Sequence, residues 1–462
     1  MKRQFAHIDT ELLKKYSRPG PRYTSYPTAN LFTSDFGSAE YIAEIERSNA
    51  ASDAPPLSLY FHIPFCDTLC YFCGCNMLVT RDRAKINHYV QQMKRELRLL
   101  RPKIAEHRRV TQIAWGGGTP TYLQPDEIRD LAGVTRELFP IDENVEAGVE
   151  IDPRDMTRDH LVALKEGGFN RISMGVQDFD PRVQQAVNRI QPEDLTRRVL
   201  DWARELGFGS VNLDLIYGLP HQTLSTFEHT LDRVIDINPD RLAIFNYAHV
   251  PWMKKHMSLI RPEDLPSPEE KLRILVATIE KLNDAGYVYV GMDHFAKPDN
   301  ELAVAQRDGT LYRNFQGYTT HAGADIYGFG ATSISQFHRI YAQNVKTLGE
   351  YYAALDRGEA ATHAGYLLTD DDILRRDIIM RLMCSFQLDM RAVGEEYGID
   401  FSATFADALA ALDEFRKDGL VDVSDGLITV RDMGILVIRN IAMVFDAHLQ
   451  ESAQKPVFSK TI

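Results

Sequence analysis

Apolar positions along this chain fall into a repeating alternation that begins after a break at Asp53-Ala-Pro-Pro. Short runs rich in β-branched residues occur near 57–63, 110–115, 145–151, 170–176, 210–217 and 241–247. Between them lie longer amphipathic stretches: Ile86 to Leu100, Pro125 to Leu138, Met156 to Glu166, Pro181 to Leu206 and Leu224 to Ile237. A short β-branched run bounded by turn residues reads as a strand. A longer stretch with apolar residues every three or four positions reads as a helix. Strands alternating with helices predict right-handed βαβ units on a parallel sheet, an α/β fold. Six repeats are too few to close a full eight-stranded barrel.

The flanks read differently. Residues 1–55 carry few periodic signals and a patch rich in Pro, Gly and Tyr, SRPGPRYTSYPT, which reads as an arm laid over a folded body. Past the repeats, 269–286 reads as a further helix, and Tyr287 to Ser335, rich in glycine and aromatics, is expected to complete a cavity. From Thr369 the pattern changes to short helices, Asp371–Phe386, Met390–Tyr397 and Phe401–Lys417. A hairpin, GLVDVSDGLITV, follows with Asp425-Gly426 as its turn, and then a closing helix over roughly Gly434 to Leu449. This is the pattern of a small winged-helix-type domain.

In parallel α/β sheets, ligands sit at the carboxyl ends of the strands. The polar and glycine-rich motifs fall there. Cys66–Cys75 follow the first predicted strand, Gly116–Thr119 the second, and Glu150 ends the third. Gln177 follows the fourth, Asp214 and Tyr217-Gly218 end the fifth, and Asn246–Ala248 end the sixth.

Four of the five cysteines lie within the stretch Tyr60–Asn76, YFHIPFCDTLCYFCGCN, and Cys66, Cys70 and Cys73 are spaced C-x3-C-x2-C. Soft thiolates crowded on one loop select zinc or an iron–sulfur cluster. A closed zinc site usually takes a second ligand pair from another segment, and the one remaining cysteine is Cys384, on an apolar helix where it reads as core. The spacing at the end of an apolar strand resembles the radical S-adenosylmethionine (SAM) superfamily. The longer pieces RYTSYPT, GGGTPT, VEIDPR, ISMGVQDF, NLDLIYGLP, NYAHVP and GMDHF, together with the cysteine loop, span nearly the whole chain. Collectively they resemble the oxygen-independent coproporphyrinogen III oxidases, also called coproporphyrinogen dehydrogenases.

That resemblance implies an open, six-stranded parallel (β/α)6 barrel. The expected division is an arm covering the active site over 1–55, a radical SAM body with its extension over 56–368, and a mainly helical, winged-helix-like domain with a β-hairpin over 369–462. It implies a [4Fe–4S] cluster on Cys66, Cys70 and Cys73 with one iron left open, and SAM, as two molecules, bound beside it. Cys75 fits the family's extended C-x3-C-x2-C-x-C pattern without being a ligand by that fact. The SAM contacts implied are Tyr60, Phe72, Gly117, Gly118, Thr119, Glu150, Gln177, Arg189, Asp214, Ala248 and Ile334. Their chemistry suits such a ligand, since Asp and Glu accept from hydroxyls or an ammonium, Arg pairs a carboxylate, and Gln bridges. The reaction implied is hydrogen abstraction from two propionate side chains of coproporphyrinogen III by a 5′-deoxyadenosyl radical. Loss of CO2 and an electron from each then leaves vinyl groups, giving protoporphyrinogen IX in haem biosynthesis. The rival within the superfamily is a haem-binding chaperone. Its relatives carry Asp-Phe after the third cysteine, where this chain has Gly74-Cys75, and lack the RYTSYPT arm.

Composition narrows the setting. A net charge of -13 over 462 residues argues against a nucleic-acid partner and so against a radical enzyme acting on RNA. The N-terminal stretch has no apolar core of signal-peptide length, and no apolar run spans a membrane, so a cytoplasmic protein is expected; a monomer is expected as well. An outside electron donor such as flavodoxin or ferredoxin is implied. An acidic protein that binds a tetracarboxylate needs local cations, and arginine's planar fork suits carboxylates best. Arg22, Arg313 and Arg339 are the candidates, and Gln316, in NFQGYTTH, matches a position that the resemblance places near the second SAM or the substrate.

Overall fold

In the computed structural model, which describes residue 5 and residues 8–51, 53–449, 458 and 460–461, the chain packs into two compact units. One comprises Phe32–Pro266 and Gly323–Leu367; the other comprises Met1–Leu31, Ser267–Ala322 and Leu368–Ile462. This grouping differs from the three sequence segments. The first 55 residues divide at 31, and the glycine- and aromatic-rich stretch 287–335 divides at 322.

The larger unit is built on strands β1 (Leu57–Ile63), β2 (Val110–Gly117), β3 (Ile141–Ile151), β4 (Arg171–Gln177), β5 (Ser210–Tyr217) and β6 (Arg241–Asn246). They lie side by side in chain order, all parallel. Four more strands extend the sheet beyond β1: β7 (Asp325–Phe329), β8 (Ile334–Gln336), β9 (Ile340–Asn344) and β10 (Thr362–Leu367). β7 is parallel to β1, and the other three are antiparallel. The six-strand expectation omitted this flank because its strands are short and glycine-interrupted. At Gly328 even a Cβ would lie 2.8 Å from the Ile334 carbonyl oxygen.

Behind the sheet, Phe61, Trp115, Phe329 and Phe169 form a fully packed aromatic layer, with Phe61 5.3 Å from Phe329 and Trp115 4.8 Å from Phe169. The connecting helices begin where caps direct them. Asp82 accepts from the Lys85 amide to start Arg83–Leu100, and Thr223 accepts from Thr226 to start Leu224–Ile237. The predicted helix Pro181–Leu206 is instead two, Pro181–Ala186 and Glu193–Glu205. Asn188 takes a positive φ of 54° between them and donates its side chain to the Leu69 carbonyl at 2.8 Å. The break therefore serves the cysteine loop and presents Arg189.

In the other unit the N-terminal segment is not featureless. A helix spans Thr10–Tyr16, capped by Asp9, and within the larger unit another spans Ser38–Asn49. Helix Pro268–Asp284 is followed by two hairpins, Val288–Gly291 with His294–Ala296, and Tyr312–Asn314 with Gly317–Thr319. The C-terminal segment has helices Asp370–Ser385, Met390–Tyr397, Phe401–Thr404 and Ala406–Lys417, then the expected hairpin. Its turn residues Asp425 and Gly426 both have positive φ, 53° and 84°, which suits the right-handed twist of the strands. The predicted closing helix over 434–449 is broken into Asp432–Leu436, Ile438–Ala442 and a last turn Met443–Phe445. The chain bends there because Arg439 and Asn440 turn inward to the Pro21 and Tyr16 carbonyls, at 2.8 and 2.9 Å. Cys384 is core, as expected. No helix among the described residues is long and apolar enough to cross a membrane.

Candidate active site

The cysteine loop leaves β1 and is held from several sides. Its edges pair briefly, Phe65–Cys66 with Leu78–Val79. The Tyr71 amide donates to Val187 at 3.0 Å, and the His62 and His256 rings meet the carbonyls of Asn76 and Cys73 at 2.9 and 2.8 Å. Lys254 reaches the Cys75 carbonyl at 3.0 Å. All the cysteines are free thiols. Cys66 sits 3.4 Å from the Thr119 hydroxyl, and burial pushes its thiol up to about 12. The neighbouring Cys75 thiol and amide, with His256 and Lys254 nearby, hold the Cys73 thiol below its usual range against the effect of burial. Cys75 is correspondingly raised, by Cys73 and by burial.

The glycine turn ending β2 is packed against this loop. Gly117, at φ 116°, donates its amide to Glu150 at 3.1 Å, while Gly118 and Thr119 donate to Ile63 and Phe65 at 2.8 Å each. A Cβ on Gly117 would stand 2.7 Å from the His62 ring, and one on Gly118 would stand 2.5 Å from the Pro64 carbonyl. The protein's own backbone therefore demands glycine here, before any ligand is considered.

Strands of a sheet covered on both faces normally read as continuous apolar runs. Here one face is polar instead. On β5, Leu213 and Leu215 are fully buried while Asn212 and Asp214, alternating with them, are partly accessible. Asp214 accepts from Asn212 at 2.7 Å and from Ser173 at 3.1 Å. Glu150 is reachable by water yet ringed by protein. Burial and the neighbouring Asp214 push it up to about 7, and burial pushes Asp214 to about 6. Gln177 ends β4 at a positive φ of 69°, with its buried Oε1 unpartnered. A Cβ on Gly175 would meet Gln177 Nε2 at 2.6 Å and Arg189 Nη2 at 3.2 Å, so both side chains converge over that glycine.

Arg189 itself is engaged. It donates to Asp152 at 2.9 Å and to the Gly175 carbonyl at 2.7 Å, with Nη1 3.7 Å from the Cys70 sulfur. Arg154 matches it from the other side, 2.6 Å from Asp152 and 3.7 Å from Cys70. Burial opposes ionisation of Asp152, but Arg189 and Arg154 together hold it down to about 2. Asp152, Arg154, Lys254 and His256 were not singled out from sequence. VEIDPR marks the first two as a motif without a role, and nothing in a lone Lys or His marks the others.

Among the predicted residues, Tyr60 bonds His62 at 3.2 Å, and Phe72 packs against Val183, Val187, Leu219 and Met257. Ala248 is exposed just past β6, and Ile334 begins β8. Arg339 is half-buried in the turn between β8 and β9. Arg22, Arg313 and Gln316 belong to the other unit. There Arg22 pairs Asp293 at 2.7 Å, and Arg313 is buried against the Tyr318 ring at 4.8 Å with Nη1 unpartnered. Gln316 lies in a hairpin turn, its amide 2.8 Å from the Asn314 side chain.

No three His, Cys, Asp or Glu side chains among the described residues gather tightly enough to share one metal ion. A [4Fe–4S] cube takes one thiolate on each iron it shares with the protein. Three free thiols, the unpartnered Gln177 oxygen and two protonatable carboxyls on a polar face fit such a cluster with a zwitterionic ligand beside it.

A thiol-rich loop after the first of six consecutive parallel strands, with a glycine turn ending the second, defines a class. Residues 60–234 match the Radical SAM superfamily, and residues 368–437 match the HemN C-terminal domain. Similarity extends end to end. The chain is 47% identical to the oxygen-independent coproporphyrinogen III oxidase of Synechocystis over 98% of both chains, and 48% identical to that of Escherichia coli, again over 98% of both. The corresponding enzyme of Pseudomonas aeruginosa is 44% identical over 98% of each. The solved Escherichia coli structure, described as a radical SAM enzyme, superposes with a TM-score of 0.91, covering 96% of this chain and 100% of that one. This chain belongs to the oxygen-independent coproporphyrinogen III oxidase family.

Proposed function

We propose that this protein oxidatively decarboxylates two propionate side chains of coproporphyrinogen III to vinyl groups, yielding protoporphyrinogen IX. The reading is carried by the meeting of the three-thiol loop with the Gly117–Glu150 contact in a chain that matches named oxidases over its whole length. When bound, the cluster and SAM supply a one-electron cleavage that makes a carbon radical able to take hydrogen from the β-carbon of a propionate. Cys66, Cys70 and Cys73 would hold the cluster, with Arg154 and Arg189 beside Cys70 offsetting thiolate charge. Gly117, Gly118 and Thr119 would line SAM, and Tyr60 and Phe72 would close its apolar sides.

Glu150 and Asp214 would accept from its ammonium or ribose hydroxyls, and Gln177 would use its spare oxygen likewise. Arg189 would orient its carboxylate through Nε, the one guanidinium nitrogen without a partner. Ala248 and Ile334 would border a second SAM. Arg22, Arg313, Arg339 and Gln316 would serve the substrate's carboxylates. The protein would act as a cytoplasmic monomer, reduced by a flavodoxin or ferredoxin, without nucleic acid or membrane. The test is anaerobic turnover of reconstituted protein with SAM, dithionite and coproporphyrinogen III. CO2 and protoporphyrinogen IX should appear, and a Cys66/Cys70/Cys73→Ala triple variant should give neither. Haem bound without CO2 release would support the chaperone instead.

A further inference from the structure

Large apolar side chains are rarely exposed on this protein, and where they are, they cluster. Six are exposed among the described residues: Val79, Ile190, Trp252, Met253, Leu259 and Leu367. All but Leu367 stand on the cysteine loop or on the two segments that hydrogen-bond it. Val79 lies on the strand closing the loop. Ile190 is two residues from Asn188, which holds the Leu69 carbonyl at 2.8 Å. Trp252 and Met253, 70% and 66% exposed, immediately precede Lys254, which holds the Cys75 carbonyl at 3.0 Å. Leu259 lies between Met257 and Ile260, whose buried side chains share a core with Val183 and Val187, and Tyr71 and Phe72 of the loop pack against that core. Exposed apolar groups gathered around one loop mark a contact surface rather than chance.

The charge of this surface is opposite to that of the molecule. The protein carries 65 acidic against 52 basic residues, yet residues 68–80 and 247–259 contain no Asp or Glu and do contain Lys254, Lys255, His249 and His256. The flanking carboxylates Asp67 and Asp264 are taken up by Arg81 and Arg261, at 2.8 and 2.7 Å, and Glu263 faces the same Arg261 at 4.0 Å. Gly74, Cys75 and Asn76, at the tip of the loop, are exposed in the middle of the patch.

We infer that this patch is the docking face for a small acidic one-electron carrier protein, which delivers its electron through the Cys66–Cys75 loop. The inference rests on the reading that this loop holds a reducible cluster. One electron leaves the carrier's reduced flavin or iron–sulfur centre and enters the oxidised cluster, and no bond or proton moves. Such encounters are small and brief. A few apolar side chains ringed by cations suffice, and steering by opposite charge sets their rate.

The test uses reconstituted holoenzyme, with reduced flavodoxin as the carrier and dithionite as a small reductant needing no docking. In the Trp252→Ala/Lys255→Glu variant, cluster reduction by flavodoxin should slow about tenfold or more and lose its dependence on salt. Dithionite-driven SAM cleavage and iron content should match wild type. An unchanged flavodoxin rate would overturn the inference. So would a raised KM for coproporphyrinogen III with unchanged electron delivery, which would make the patch part of the substrate mouth, or an equal loss with both reductants. If flavodoxin reduces the cluster with the expected sensitivity but SAM is never split, the docking face stands and the reaction proposed above falls.

Discussion

Arg189 commits its guanidinium to Asp152: Nη1 lies 2.9 Å from Oδ2, and both side chains are less than a tenth exposed. Arg154 closes the same carboxylate from the other side at 2.6 Å. One buried anion thus holds two cations against the Cys70 sulfur. Removing one member of a buried ionic group leaves the others uncompensated, at a cost of about 3–5 kcal/mol. Asp152→Asn should therefore lower the free energy of unfolding in urea by about that amount, because two guanidiniums remain with no carboxylate. A variant as stable as wild type would show that they find other acceptors.

Gly118 makes a different kind of demand. Its missing side chain leaves room for the Pro64 carbonyl, to which a Cβ would come within 2.5 Å, and backbone at that distance has no flexible end to yield. Gly118→Ala should displace β1 relative to the glycine turn and with it the start of the cysteine loop. The expected outcome is loss of reconstituted iron per chain together with a fall in melting temperature. Gly133→Ala, at an exposed position inside the helix Pro125–Leu138 where nothing lies within 4 Å, should leave iron content unchanged and raise the melting temperature slightly.

The repeat of strand and helix was legible because each β-branched run is bounded by turn residues and followed by a full amphipathic helix. Every one of β1 to β6 falls where periodicity put it, although β3 starts earlier, at Ile141. What periodicity missed depends on distant partners. The break between Ala186 and Glu193 exists because Asn188 bonds Leu69, far away in sequence. The closing helix breaks because Arg439 and Asn440 bond carbonyls near the other end of the chain. The site shows the same split. Cysteine spacing and glycine runs are local and readable, whereas Asp152 acquires meaning only when Arg189 folds back onto it, and Lys254 and His256 only when their loop meets Cys73 and Cys75.

Glu150 and Asp214 give the site a pH dependence. Both are raised by burial, Glu150 also by Asp214, from ordinary values of 4.5 and 3.8 to about 7 and about 6. A carboxyl raised in the folded state keeps its proton while the unfolded chain has already lost it. The fold is therefore unpenalised below pH 3.8, loses stability as pH rises from there toward 7, and levels off above. Glu150→Gln should flatten the upper part of that decline in urea unfolding. SAM affinity should run the other way, because a carboxylate accepts from ammonium and hydroxyl only when ionised. Equilibrium binding should tighten as pH rises through 6 to 7 and plateau above it, and should be insensitive to pH in the Glu150→Gln/Asp214→Asn double variant.

Cys75 lies two residues from Cys73 and is exposed, and its thiol favours the thiolate form of Cys73. A neighbour of a ligand and a ligand differ in what their removal takes away. With Cys73 as one of the proposed cluster ligands, Cys73→Ala should lower iron and sulfide after anaerobic reconstitution. Cys75→Ala removes only the thiol that favours the Cys73 thiolate, so iron and sulfide should stay at the wild-type level. The lost thiol should still be visible, since a group that stabilises negative charge on a cluster sulfur favours the electron-rich reduced state. The midpoint potential of the Cys75→Ala cluster, followed by electron paramagnetic resonance in a redox titration, should therefore fall below wild type. An equal loss of iron in both variants would place Cys75 among the ligands and overturn the assignment of that sulfur as a neighbour only.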